Sequence, residues 1–179
     1  MLAAADGLFA DTDSPHTVSM DAIAVAAGVG KGTLFRAFGN RDGLLDALWA
    51  AKLTTLREAV EAGEAPLGPG APARERVIAF LDALLTFKLE NRQLIRAREM
   101  ASTGVRKSEH YRWMQGLLEQ LLEDAAPETE DAGYAAGVLL SALHIDLIEE
   151  LLAAGRSPRE IRRAQAALAR AVMNDTQHD

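Results

Sequence analysis

The stretch SMDAIAVAAGVGKGTLFRAF, Ser19 to Phe38, sets a small residue, Ala24, four positions ahead of Gly28 and an apolar Leu34 six positions after it. Two helices that cross at about 90 to 120° through a tight turn need a methyl-sized side chain where their axes approach. They also need a turn residue that accepts left-handed dihedrals, and a buried anchor on the second helix. The spacing therefore predicts a helix-turn-helix. Its first helix opens after Ser19, a good N-cap with Asp21 in the positive first turn, and ends at Gly28. The second runs from about Lys31 to Phe38. Ile23, Val29 and Phe38 are expected to close a small core against Leu8 and Phe9 of a preceding helix over Leu2 to Ala10.

Charge adds a second pattern. Residues 1 to 50 carry Lys31, Arg36 and Arg41 against six aspartates, yet between Ala22 and Arg41 every charged residue is basic. Lys31 and Arg41 sit at helix N-termini, where the macrodipole disfavours a cation by about 0.3 to 1 kcal/mol. Something negative is expected there. Unbonded N–H groups at those helix ends, beside Lys31, Thr33 and Arg41, suit phosphate, and Gly32 lets a backbone come close.

With its Gly-Val-Gly-Lys-Gly-Thr-Leu-Phe-Arg-Ala-Phe core and the following Asn-Arg-Asp-Gly-Leu-Leu, the stretch closely resembles the DNA-binding domain of TetR-family transcriptional regulators, over about Leu2 to Leu48. In that family the third helix lies in the major groove. The resemblance implies that Ser19, Lys31, Gly32, Thr33, Phe35, Arg36 and Arg41 face DNA. Gly30 and Phe35 stand where the family usually carries serine and tyrosine, whose hydroxyls reach phosphate. The remaining helices are implied to supply a ligand pocket and a dimer interface.

Beyond that stretch the chain also reads as helix. Ala occurs 34 times and Leu 25 times, and no strand-length alternation of apolar and polar residues appears. The six prolines fall between periodic segments or at first turns. Asn40 is placed to cap a fourth helix reaching about Glu61, and AGEAPLGPGAPA, residues 62 to 73, is a loop. Amphipathic spacing predicts further helices over Ala73 to Glu90, Arg92 to Met100, Glu109 to Ala125, Thr129 to Ala154 and Pro158 to Asn174, about nine in all. Ser157 and Glu160 stand in capping-box spacing ahead of the last of these. The expected fold is all-α: a helix-turn-helix DNA-binding unit over residues 1–48 and a ligand-binding and dimerisation bundle over 49–179.

In the larger unit, Ala132 to Ile145 is apolar nearly all round, so it needs cover on both sides. The last helix offers Ile161, Ala164, Leu168 and Val172 between arginines. A homodimer through the two C-terminal helices is expected. Large or polar side chains on apolar faces, Phe87, Met100, Trp113, Met114, Tyr134 and His144, are the candidate ligand-binding residues. The arginines at 92, 96, 98, 106 and 112 alternate with glutamates and read as a solvated face.

Several classes are excluded. Without cysteine there is no disulfide scaffold, thiolate metal site or cysteine nucleophile, and a reducing cytoplasm is the expected home. No HExxH, Glu-x-x-His pair, G-x-S-x-G elbow or P-loop occurs, so neither enzyme chemistry, a metal nor a cofactor is expected. MLAAADGLFADTD has neither the basic start nor the apolar run of a secretory signal, so a mature N-terminus is expected, and no stretch is long enough to span a bilayer. The function expected is that of a ligand-responsive DNA-binding transcriptional regulator. In this reading it is a repressor that binds a palindromic operator as a dimer and is released by a small-molecule effector. The alternative is a helical dimeric sensor or interaction module that has lost operator binding.

Overall fold

The computed structural model describes residues 1–101 and 108–174, with the side chains of residues 99–101 and 174 left aside. Helices α1 (Leu2–Ala10), α2 (Met20–Ala26), α3 (Lys31–Phe38), α4 (Arg41–Ala62) and α5 (Ala73–Glu90) come first. They are followed by α6 (Arg92–Ala101), α7 (Glu109–Ala125), α8 (Ala132–Ser141), α9 (Ile145–Ala153) and α10 (Pro158–Asn174). A single 3-10 turn, Pro15–Thr17, precedes α2, and no strand occurs among the described residues. The chain is all-α, as its composition and periodicity predict.

Helix ends follow the side chains that cap them. Ser19 Oγ accepts from the N–H of Ala22, Asn40 Oδ1 from that of Gly43 at 2.9 Å, and Ser108 Oγ from that of Tyr111. At the start of α10 the N–H of Glu160 donates to Ser157 Oγ, while the N–H of Ser157 donates back to Glu160 Oε2 at 2.8 Å. That is the reciprocal capping box. Those bonds to Ser157, the backbone one foremost, hold the Glu160 carboxyl below its ordinary range.

Two compact units form. Met1–Thr54 with α6 make the first, and Thr55–Leu89 with α7 to α10 the second. The first is built on Phe9, Ile23, Leu34, Leu44 and Leu45, each no more than 1% exposed, with Leu8, Val29 and Phe38 packed against them. Leu94 and Ala97 of α6 also enter this core, which no local spacing announces. Arg98 follows them in. Expected on a solvated face, it is 3% exposed: its Nε donates to Asp46 Oδ1 at 2.8 Å, and its guanidinium lies 4.7 Å over the Trp49 ring. Burial of an arginine is tolerated when a carboxylate and an aromatic face replace water. Arg92 and Arg112 are exposed, Arg96 is half-buried and bonded to Gln93, and Arg106 lies outside the described residues.

In the second unit, Phe80, Leu84, Leu85, Leu118, Leu122, Leu139 and Ile148 are fully enclosed. Arg76 ties the loop ahead of α5 by donating to the carbonyls of Leu67 and Val60, and the buried Gln165 amide joins α10 to the Leu139 carbonyl. The single helix expected over Thr129–Ala154 is instead two. Ser141 Oγ donates back to the Gly137 carbonyl at 2.7 Å, a bond that bends helices, and His144 turns to an extended conformation ahead of α9.

Candidate nucleic-acid interface

The turn between α2 and α3 forms as the spacing demands. Gly28 takes φ +64°, a left-handed value that a side chain would strain, and the N–H of Val29 donates to the Ala24 carbonyl at 3.0 Å. Ala24 is 4% exposed and Leu34 fully buried, so the small residue and the anchor both meet the core. Gly39 closes α3 at φ +75°.

Leu34 is the one buried residue of α3. Lys31, Gly32, Thr33, Phe35, Arg36 and Ala37 are all exposed, and Ser19 stands exposed at the entrance to α2. The space over Gly32 is open, since an added Cβ would meet no atom within 4 Å. At the α3 N-terminus Gly30 caps with no side chain, which leaves the first backbone N–H groups without intrahelical acceptors. A short helix pinned by one leucine, with donors and cations on its free surface, has the layout of a helix that enters a groove.

The cations differ in what they do. Arg36 makes no hydrogen bond or ion pair with the described residues. Lys31 Nζ lies 2.7 Å from Asp21 Oδ1 and 2.9 Å from Oδ2, with both side chains more than 60% exposed, and 5.9 Å from the Phe35 ring centre. Arg41 is a brace. Its Nε donates to the Val18 carbonyl at 3.1 Å and its Nη2 to that of Pro15 at 2.8 Å, half-buried beside the Phe9 ring. The arrangement thus gathers Ser19, Lys31, Gly32, Thr33, Phe35 and Arg36 on the α2–α3 surface and ties Arg41 into the frame beneath. Asp21, read from sequence only as a helix-start residue, is the member of this surface that sequence reasoning missed. Its ten-residue separation from Lys31 across the turn was the available signal.

The fold is similar to the crystal structure of a TetR-like transcriptional regulator from Rhodococcus sp. RHA1, at 26% sequence identity and a TM-score of 0.64, covering 95% of this chain and 91% of that one. No curated protein matches the chain. Residues 1–48 match the family described as bacterial regulatory proteins, tetR family. The match identifies residues 1–48 as the N-terminal region of a TetR-family regulator. TetR-family regulators are in general DNA-binding proteins rather than enzymes.

Elsewhere in the chain, the candidate ligand residues scatter. Met114 is buried, and Phe87 is half-buried. Trp113 meets Phe80 edge-on at 6.0 Å and lies under the Arg57 guanidinium at 4.7 Å. Tyr134 is 73% exposed on α8, and half-buried His144, at the α8–α9 break, has Nδ1 3.5 Å from Asp146 Oδ2. The side chain of Met100 lies outside those described. Among the described residues no group of three His, Asp or Glu side chains is placed to hold a metal, and no helix is long and apolar enough to cross a membrane.

Proposed function

We propose that this TetR-family regulator is a repressor that binds a palindromic operator as a homodimer and is released by a small-molecule effector in the cytoplasm. The observation that carries the reading is the α3 surface, where Lys31, Thr33 and Arg36 are exposed while Leu34 alone is buried. Residues 1–48 read the operator, with Ser19, Lys31, Gly32, Thr33, Phe35, Arg36 and Arg41 as the DNA-facing set; Arg41 contributes through the position it gives α4. Residues 49–179 bind effector and partner subunit. Apolar side chains exposed on α8, α9 and α10, Val138, Leu147 and Leu168 with Tyr134, supply the surface for a second copy through the two C-terminal helices.

A twofold protein reads two half-sites about 34 to 36 Å apart, one turn of duplex. An effector that binds one conformation of the larger unit more tightly shifts the population toward it, and release follows when that conformation holds DNA less well. Phe87, Met100, Trp113, Met114, Tyr134 and His144 are the proposed effector contacts.

A mobility shift on a short palindrome from near the protein's own gene tests this. The expected result is a dimer-sized shift that Arg36→Ala or Lys31→Ala abolishes, each lost phosphate contact flattening the slope of log K against log salt by about 0.9. A second reading, a dimeric sensor or interaction module without operator binding, is favoured by the pairing of Lys31 with Asp21 and by Gly30 and Phe35, which lack hydroxyls. Effector binding with no shift on any palindrome establishes that reading instead.

A further inference from the structure

Between α5 and α10, within the second unit, lies a cavity of about 380 Å³, inside the ~300–1,000 Å³ typical of small-molecule sites. Its floor is apolar: Ile78, Leu81 and Leu85 from α5 and Ala166 from α10. Its rim is cationic, with Arg159, Arg163 and Arg170 along one flank of α10. A fourth arginine, Arg162, is already held across to α5, ion-paired with Asp82 and donating to Thr86 Oγ1 at 2.7 Å. Asp82 is the one carboxylate among the lining residues, and Arg162 neutralises it. Nearby Glu160 is committed to Ser157. Arg159, Arg163 and Arg170 donate no hydrogen bond to any described residue. Arg163 also acts on Glu160 through its charge, yet on a chain of formal charge −7 three guanidiniums without a hydrogen-bond acceptor beside an apolar trough are a local excess.

The placement also separates this trough from the surface proposed for the partner subunit. At 3.6 residues per turn, Ala164 and Leu168 lie on the opposite flank of α10 from Arg159, Arg163 and Arg170, with the buried line of Ile161, Gln165 and Ala169 between them. None of the proposed effector contacts lines the trough.

We propose that the α5–α10 trough binds a small amphiphilic carboxylate. Arg159 and Arg163, one helical turn apart, take the head, since a guanidinium fork matches a carboxylate with two parallel hydrogen bonds. The tail lies on Ile78, Leu81 and Leu85, which span about 10 Å of α5 at ~1.5 Å per residue, the reach of a medium-length alkyl chain. Arg170 flanks the tail end. This site goes beyond the operator reading and does not rest on it.

Titration calorimetry on the full chain without DNA tests it, with octanoate as the probe, acetate as a head without a tail and octanamide as a tail without charge. Octanoate is expected to bind at least about tenfold more tightly than either control. Arg163→Glu, at an exposed position, is expected to weaken octanoate binding by at least about tenfold, and Ala166→Phe to block it by filling the floor, while circular dichroism keeps its helical form. Equal binding of octanamide makes the site merely apolar, and equal binding of acetate makes it an adventitious anion site. Either result, undiminished binding by Arg163→Glu, or no octanoate binding by the parent chain, overturns the proposal and leaves the operator reading untouched.

Discussion

At the scale of single residues, the two cations on α3 have different standing. Arg36 is unengaged, whereas Lys31 is bonded to both oxygens of Asp21, so a phosphate must compete with a carboxylate already in place. An exposed pair of this kind is worth about 0 to 1 kcal/mol. Asp21→Asn is therefore expected to tighten operator binding by up to about fivefold, measured by mobility shift at fixed salt. It should also cost α2 a little stability, because Asp21 favours the positive helix start by about 0.3 to 1 kcal/mol. Gain in affinity with loss in stability is a combination that a purely structural aspartate would not give. Leu34→Ala works the other way: removing the only buried side chain of α3 should destabilise by about 2 to 5 kcal/mol in denaturant unfolding and abolish the shift with it.

At the scale of elements, what was legible in sequence was what local spacing dictates. Ala24, Gly28 and Leu34 have fixed offsets because a tight crossing leaves no other arrangement, and Ser19, Asn40 and the Ser157–Glu160 box mark their helices from within three residues. What stayed hidden depends on pairing across distance. Arg98 and Asp46 lie 52 residues apart, so the charges of α6 looked like a solvated face, and Leu94 and Ala97 gave no sign of which core they would join. The α8–α9 break was hidden for another reason: Ala132 to Ile145 suits a continuous helix as well as a broken one, and the Ser141 bond that accompanies the break leaves no mark on the spacing. In the candidate site, the spacing places Lys31, Thr33 and Arg36 on one short helix, whereas the bracing of Arg41 by two carbonyls depends on a turn whose path no periodicity describes. The α10 start supplies a pH test. Because the folded carboxyl of Glu160 titrates below its ordinary range, its stabilisation is full above that range and fades as pH falls through the lowered value. Glu160→Ala should thus lower the thermal midpoint near neutrality, and the midpoints of variant and parent should converge in acid.

At the scale of the whole molecule, net charge and function pull in opposite directions. A chain of formal charge −7 is repelled by a duplex at long range, so in the proposed reading attraction comes from the α3 surface at close quarters. In the proposed homodimer two copies would double that local attraction, which would make assembly a condition of binding. Leu168→Glu, at a 37% exposed position on α10, is expected to shift the sedimentation coefficient from dimer to monomer and to weaken operator binding at least about tenfold, with α3 untouched. A dimer that survives this substitution would place the contact elsewhere.

The chain's two tryptophans fall one in each unit, and their surroundings differ. Trp49, 1% exposed beneath the Arg98 guanidinium, should emit at short wavelength and be shielded from acrylamide, while half-buried Trp113, beneath Arg57, should be quenched first. Fluorescence from Trp113→Phe would then report on the first unit alone, and from Trp49→Phe on the second, so the two units can be followed separately by light without any attached label.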